Sequence, residues 1–359
     1  MDGYSIGKVA FSDQRSLTQI DKLLEQEGIR RDPNLDYLCA MFDEDFNIIA
    51  TGACFGNTLR CLAVSSDHQG EGLMNQIITH LVNVQIDRGH SHLFLYTKCE
   101  SAKFFHDLGF REIVQIPNQI VFMENKRNGF EDYLTQLKNE TAKSAVQNQG
   151  IFKEKRTAAI VMNANPFTLG HQYLVEKAAG ENDIVHLFIL SEDCSLFPYS
   201  VRKKLIQAGI AHLPNVVLHD SGSYIISQAT FPSYFQKSDD AAIKSNVEVD
   251  LQIFVRIAQT LGIQCRYVGD EPFSHVTNLY NQTMQQKLPE YGVACIVVTR
   301  KETDENVISA SAVRQAIKDK NWSEVKKFVP QSTFDFLMSD EAAQIVEKIQ
   351  QITEDVKHY

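Results

Sequence analysis

The sequence predicts an α/β protein in three parts: an N-terminal α/β domain over residues 1–125, a linker over 126–155, and a domain with a mostly parallel sheet over 156–359. Three observations predict this. A chain of 359 residues exceeds what one ordinary hydrophobic core encloses. Strand-like and helix-like apolar periods alternate on both sides of a polar, charge-rich stretch. Beyond that stretch the alternation becomes regular βα after βα, the pattern of a parallel sheet covered by helices on both faces.

The elements follow in chain order. Segments 48–55 and 59–64 read as strands around Gly56-Asn57, a hairpin turn pair. Leu73, Ile77 and Leu81 then fall on one helical face. Segment 92–97 reads as a strand and 102–108 as a short helix closed by Gly109. The linker is marked by Glu124-Asn-Lys-Arg-Asn-Gly, Lys138-Asn-Glu-Thr-Ala-Lys and Gln147-Asn-Gln-Gly, with room for one helix. Later strands are expected at 158–162, 184–190, 216–218, 265–268 and 294–298, with helices between them. In the tail, Ala342, Ile345, Ile349, Ile352 and Val356 are spaced as an amphipathic helix, expected to pack on its own domain.

Composition narrows the function classes. A formal charge of −10 gives no general reason to expect nucleic-acid binding. The seven cysteines are odd in number, scattered and without a C-x-x-C pair, so a reducing cytoplasm is expected rather than a disulfide framework or zinc site. No apolar run approaches the length of a membrane span, and the first residues lack the basic-then-apolar pattern of a signal peptide.

The chemistry concentrates in Asn163-Ala-Asn165-Pro166-Phe167-Thr168-Leu-Gly170-His171, between an expected strand and an expected helix. A helix N-terminus offers unpaired N–H groups and the positive end of a dipole, so it suits phosphate. Gly170 permits close approach of an anion, and His171 adds a donor on the first turn. A second segment of this kind, Ile308-Ser309-Ala-Ser311-Ala-Val-Arg314, lies far downstream. Each residue alone has a plain structural explanation, as a core histidine, a helix cap or a solvated arginine. Together and in this order they point to a phosphate site. Gly269 and Glu271 fall on another expected strand end, where such sheets bind ligands. Ser200-Val-Arg202 offers another phosphate ligand, but a surface helix arginine is the preferred reading there.

The pair Thr168-Leu-Gly-His171 and Ile308-Ser-x-Ser-x-Val-Arg314 resembles the HxGH and ISxSxxR motifs of the nucleotidyltransferase superfamily, with Thr168 in place of the first histidine. The resemblance implies a Rossmann-like nucleotidyltransferase domain and attack on the α-phosphorus of ATP. It implies catalytic roles for His171, Thr168, Ser311 and Arg314. It implies nucleotide contacts at Asn163, Asn165, Pro166, Phe167, Gly170, Gly269, Glu271 and Ser309, and a Mg²⁺ ion accompanying the triphosphate. With segments 161–174, 220–235 and 267–273 added, the chain resembles the [citrate (pro-3S)-lyase] ligase family over nearly its whole length. That implies the partners: acetate, ATP and the citrate lyase acyl carrier subunit, whose CoA-like prosthetic thiol is acetylated with release of AMP and pyrophosphate. No nucleic acid, membrane or protein-held metal is expected.

Val64-Ser-Ser-Asp-His-Gln69-Gly70-Glu-Gly72-Leu resembles the acyl-CoA loop of GNAT acetyltransferases, which implies a GNAT-like first domain in which Gln69, Gly70 and Gly72 hold a CoA-like group. Met74 stands where that loop has a small residue, and Phe105 stands where the family often has a tyrosine acid. Two other functions share parts of this pattern: an adenylyltransferase acting on nicotinamide mononucleotide or phosphopantetheine, and an acetyl-CoA-dependent N-acetyltransferase.

Overall fold

A computed structural model describes residues 3–147, 156–192, 195–225, 231, 239–270, 275–299, 302–303 and 306–352. The chain divides into two units, residues 1–131 with 230–249 and residues 132–229 with 250–359.

The first unit contains β1 (Ser5–Lys8), α1 (Gln14–Gln26), β2 (Tyr37–Phe42), β3 (Ile48–Phe55), β4 (Thr58–Val64), α2 (Leu73–Asp87), β5 (Phe94–Thr97), α3 (Ala102–Asp107), β6 (Arg111–Ile116) and β7 (Ile120–Glu124). Its sheet has the order β1-β2-β3-β4-β5-β7-β6. Alternation along the strands gives it two apolar faces. Leu73, Ile77, Ile78 and Leu81 of α2 pack on one, with Leu59, Leu95, Val121 and Met123. Leu17, Ile20, Leu23 and Leu24 of α1 pack on the other, with Leu38, Ala40, Ala53 and Cys61. The expected hairpin turns at Gly56, where φ is 55°. One pair in the sheet, β4 with β5, is parallel, and its pairing is confined to Thr58↔Phe94 and Leu59↔Leu95. Past those residues β4 continues to Val64 and β5 to Thr97, so the sheet opens between them.

A helix, α4 (Gly129–Gln147), occupies most of the polar stretch between the two sheets. The second unit then runs through β8 (Thr157–Met162), α5 (Leu169–Glu181), β9 (Ile184–Ile189), α6 (Tyr199–Gly209), β10 (Val216–Asp220), α7 (Asp239–Leu261), β11 (Cys265–Gly269), α8 (His275–Lys287) and β12 (Ala294–Val298). A hairpin, β13 (Glu302–Thr303) with β14 (Asn306–Val307), leads into α9 (Ala310–Lys318), α10 (Trp322–Phe328), α11 (Gln331–Leu337) and α12 (Ala343–Gln351). Residues of α7 up to Val249 belong to the first unit, where Ser245 Oγ donates to Gln119 Oε1 at 2.9 Å.

Every pairing in the five-stranded sheet is parallel, in the order β10-β9-β8-β11-β12. All five expected strands are present. The order reverses between β8 and β11, and the crevice above their carboxyl ends is where such a sheet takes a ligand. On one face Val185, Leu187 and Ile189 of β9 join Val175, Leu205 and Ile206 in the core. His186 and Phe188 alternate to the other face, where Glu140 of α4 meets His219 of β10. The tail helix packs on its own unit through Ala342 and Ile349, as expected; Val356 lies outside the described residues.

Candidate functional site

The loop after β8 is held by its own polar groups. Asn165 is buried, and its Oδ1 accepts the Phe197 N–H at 3.1 Å. Pro166, Phe167 and Thr168 are buried after it. Thr168 is extended (φ −117°, ψ 168°) and caps α5. Its Oγ1 accepts the His171 N–H at 3.3 Å, and His171 Nδ1 accepts the Thr168 N–H at 3.1 Å. This is a reciprocal capping box with histidine in the place of the usual Glu or Gln. The box also sets the imidazole tautomer. Nδ1 accepts from the backbone and lies 2.9 Å from the Thr168 hydroxyl, so the neutral ring carries its proton on Nε2. The Phe167 ring stacks beside His171 at 5.8 Å.

The segment 308–314 arrives against the start of α5. Ser309 caps α9 by accepting the Ala312 N–H at 3.0 Å. A Cβ on Gly170 would lie 3.3 Å from the Ile308 carbonyl oxygen, so glycine lets the two helix starts approach. Arg314 is 3% exposed; it donates to the Asn165 carbonyl at 2.6 Å and to Ser311 Oγ at 3.2 Å. Burial lowers its guanidinium to about 10, which leaves it charged at neutral pH. Arg314 therefore ties the loop after β8 to the start of α9, a role its sequence position did not disclose.

Gly269 ends β11, beside β8 at the reversal of strand order. Its carbonyl accepts from Asn281 Nδ2 at 3.0 Å, and the next N–H, of Asp270, donates to Val298 O at 2.9 Å. Glu271 lies outside the described residues. Asn163 donates from Nδ2 to Ser195 Oγ at 3.0 Å.

Arg202 corrects the sequence reading of a surface arginine. It is fully buried. It donates to the carbonyls of Phe197 (3.0 Å), Asn163 (2.9 Å), Leu190 (2.8 Å) and Glu192 (2.5 Å), fixing the backbone beyond β8 and β9. The signal was present in the sequence: Arg202, Leu205, Ile206 and Gly209 form one helical stripe, and all are buried.

Two polar groups of this unit had no sequence signal. His186 Nδ1 lies 2.9 Å from His219 Nε2, and His219 Nδ1 lies 2.6 Å from Glu140 Oε2. The hydrogen bond from His219 lowers the Glu140 carboxyl, and burial holds His186 down at about 3. At the carboxyl end of β10, Lys203 Nζ donates to Asp220 Oδ1 at 2.7 Å and the Tyr199 hydroxyl donates to the same oxygen. Burial, then that bond, raises the Tyr199 phenol to about 12.

In the first unit, Gln69, Gly70 and Gly72 form the turn between β4 and α2. Gly70 and Gly72 have φ of 90° and 76°, and Gly72 caps α2 with no side-chain acceptor. Gln69 Nε2 reaches Glu27 Oε2 at 3.5 Å. Phe105 is buried in the core beneath α2, and Met74 packs against that core. Among the described residues no group of three or more His, Cys, Asp or Glu could hold a metal, and no helix is long and apolar enough to cross a membrane.

The profile of the citrate lyase ligase C-terminal domain matches residues 157–337. The [citrate [pro-3S]-lyase] ligase of Haemophilus influenzae is 37% identical over 334 residues, covering 91% of this chain and 96% of its own. That of Klebsiella pneumoniae is 38% identical over 324 residues, covering 89% and 92%. The chain belongs to the citrate lyase ligase family. It is thus an enzyme of the ligase class, and the matched length reaches into both units. Among solved structures, a GNAT-family acetyltransferase from Staphylococcus aureus is 14% identical and covers 34% of this chain and 99% of its own, with a TM-score of 0.29. A protein assigned as a nicotinate-nucleotide adenylyltransferase from Vibrio parahaemolyticus is 16% identical and covers 55% and 98%, with a TM-score of 0.35.

Proposed function

We propose that this enzyme uses ATP to acetylate the thiol of the CoA-like prosthetic group on the citrate lyase acyl carrier subunit, in the cytoplasm, through acetyl-adenylate. The observation that carries the reading is the meeting of the two phosphate segments beside the strand-order reversal, in a chain of this family. Acetate is an anion at neutral pH and needs no base to act as a nucleophile. It needs position, and relief from its repulsion by the triphosphate. An acetate oxygen bonds to the α-phosphorus as the bond to pyrophosphate breaks. His171, with its proton on Nε2, supplies a donor where charge builds on the phosphoryl oxygens. The starts of α5 and α9 supply N–H groups alongside. Arg314 holds those two helix starts in register and adds positive charge beneath them. The carrier thiolate then attacks the acetyl carbon and AMP leaves. Mg²⁺ enters with ATP as part of the substrate.

The first unit is assigned to docking the prosthetic arm. The opening between β4 and β5 and the glycine turn beside it support that reading, and buried Phe105 offers no acid for acetyl transfer of its own. The test of the reaction is acetate-dependent ATP–pyrophosphate exchange, with nicotinamide mononucleotide and phosphopantetheine as parallel acceptors. Exchange with acetate supports the ligase. Pyrophosphate release only with a phosphorylated acceptor overturns it in favour of an adenylyltransferase.

A further inference from the structure

The carboxyl edge of the parallel sheet is divided. The segments assigned to the nucleotide follow β8, β11 and β14, and those after β8 and β14 touch one another through Gly170, Ile308, Asn165 and Arg314. The ends of β9 and β10, on the other side of β8, are left to the acceptor. There Asp220 closes β10, with side-chain exposure of 43%, and Lys203 reaches it with 34%. Lys203 and Tyr199 both occupy Asp220 Oδ1; among the described residues no bond reaches Oδ2. The Tyr133 hydroxyl fixes the Asp220 carbonyl at 3.0 Å, and the Gly222 N–H binds Ser191 Oγ at 3.0 Å, so the strand end is held from both sides. The result is a rigid, half-exposed pair, one carboxylate oxygen that accepts and one ammonium with further N–H groups to donate.

We infer that Lys203 and Asp220 form the recognition site for an amide group of the acceptor's thiol-bearing arm, the ammonium donating to the amide carbonyl and Asp220 Oδ2 accepting the amide N–H. This rests on the proposed ligase reaction and adds the residues that select its acceptor. A secondary amide presents one acceptor and one donor a few ångströms apart, which this pair complements. A bare carboxylate substrate would meet Asp220 as a like charge. A plain surface ion pair would hold no preference between thiols.

The experiment uses the full chain with ATP, acetate and two free thiols: pantetheine, which carries amides, and cysteamine, which carries none. The quantity read is the ratio of kcat/KM for pantetheine to that for cysteamine. It is expected to fall at least tenfold in both Lys203→Met and Asp220→Leu, which remove the donor and the acceptor, while Lys203→Arg, which keeps a donor, retains most of it. A ratio within threefold of the parent's in both variants overturns the assignment, because any general damage to folding or adenylation divides out. Absence of acetate-dependent pyrophosphate exchange in the parent protein is a separate result; it overturns the ligase reading and the assignment with it.

Discussion

Replacing His186 by asparagine tests the buried histidine pair through the pH dependence of stability. His186 is fully buried, its Nδ1 faces His219 Nε2, and burial holds it at about 3 against 6.5 in an unfolded chain. As pH falls below 6.5 the unfolded state takes up a proton that the folded state refuses, so stability declines with falling pH through this group. At pH 5 the deficit is about 1.5 pK units, or about 2 kcal/mol, and it would be nearly the same if the folded value lay a unit higher. The Glu140 carboxyl is lowered, so its own contribution is lost only below its ordinary range of about 4.5 and does not mask the effect. Asparagine keeps an N–H near the Nδ1 position, cannot titrate, and leaves a small cavity that costs about 1–2 kcal/mol at any pH. The parent should therefore be the more stable at about pH 8, and the gap should shrink by about 2 kcal/mol at about pH 5. Urea midpoints read from the fluorescence of Trp322, the chain's one tryptophan and part of the second unit, give both numbers. A gap that stays constant to within about 0.5 kcal/mol would refute the argument, since it would mean His186 takes its proton equally in both states.

Other outcomes follow from the same geometry. His171→Ala removes both the capping-box acceptor and the Nε2–H; acetate-dependent exchange should fall about 10²–10³-fold at a cost of about 1 kcal/mol in stability, as kinetics and denaturation would show. Arg202→Met strips the donor from the carbonyls of Phe197, Asn163, Leu190 and Glu192, and should cost about 3–5 kcal/mol in urea unfolding; a loss below about 1 kcal/mol would mean that these four bonds do not hold the backbone beyond β8 and β9. Gly209→Ala drives a methyl into the buried Phe167 ring and should destabilise the second unit by about 1–3 kcal/mol, read from the same urea midpoints. Gly72→Trp should weaken binding of the holo carrier, measured by titration calorimetry, whereas Gly72→Asn, which tolerates the left-handed backbone, should not; equal affinity in both would exclude docking at that turn.

Much of the site was written locally. The Thr168 cap depends on residues three apart, and Ser309 caps α9 by the same spacing, so both helix starts could be found without a fold. The five parallel strands were visible because each is a short apolar run between helical periods. Arg202 was misplaced because a charged residue was read by its type, although its position on the stripe with Leu205, Ile206 and Gly209 put it inside.

The sequence by itself thus determined the α/β class and the two helix starts that suit phosphate, each with its capping residue. Those depend on periods and caps, interactions among residues a few places apart. Only the tertiary structure decided that Arg314 lies against Asn165, 149 residues away, that His186 meets His219 and His219 meets Glu140, and that Lys203 meets Asp220 at a strand end. Strand order brings those groups together, and strand order has no local signature. It is set by which apolar faces can be buried at once across the whole unit.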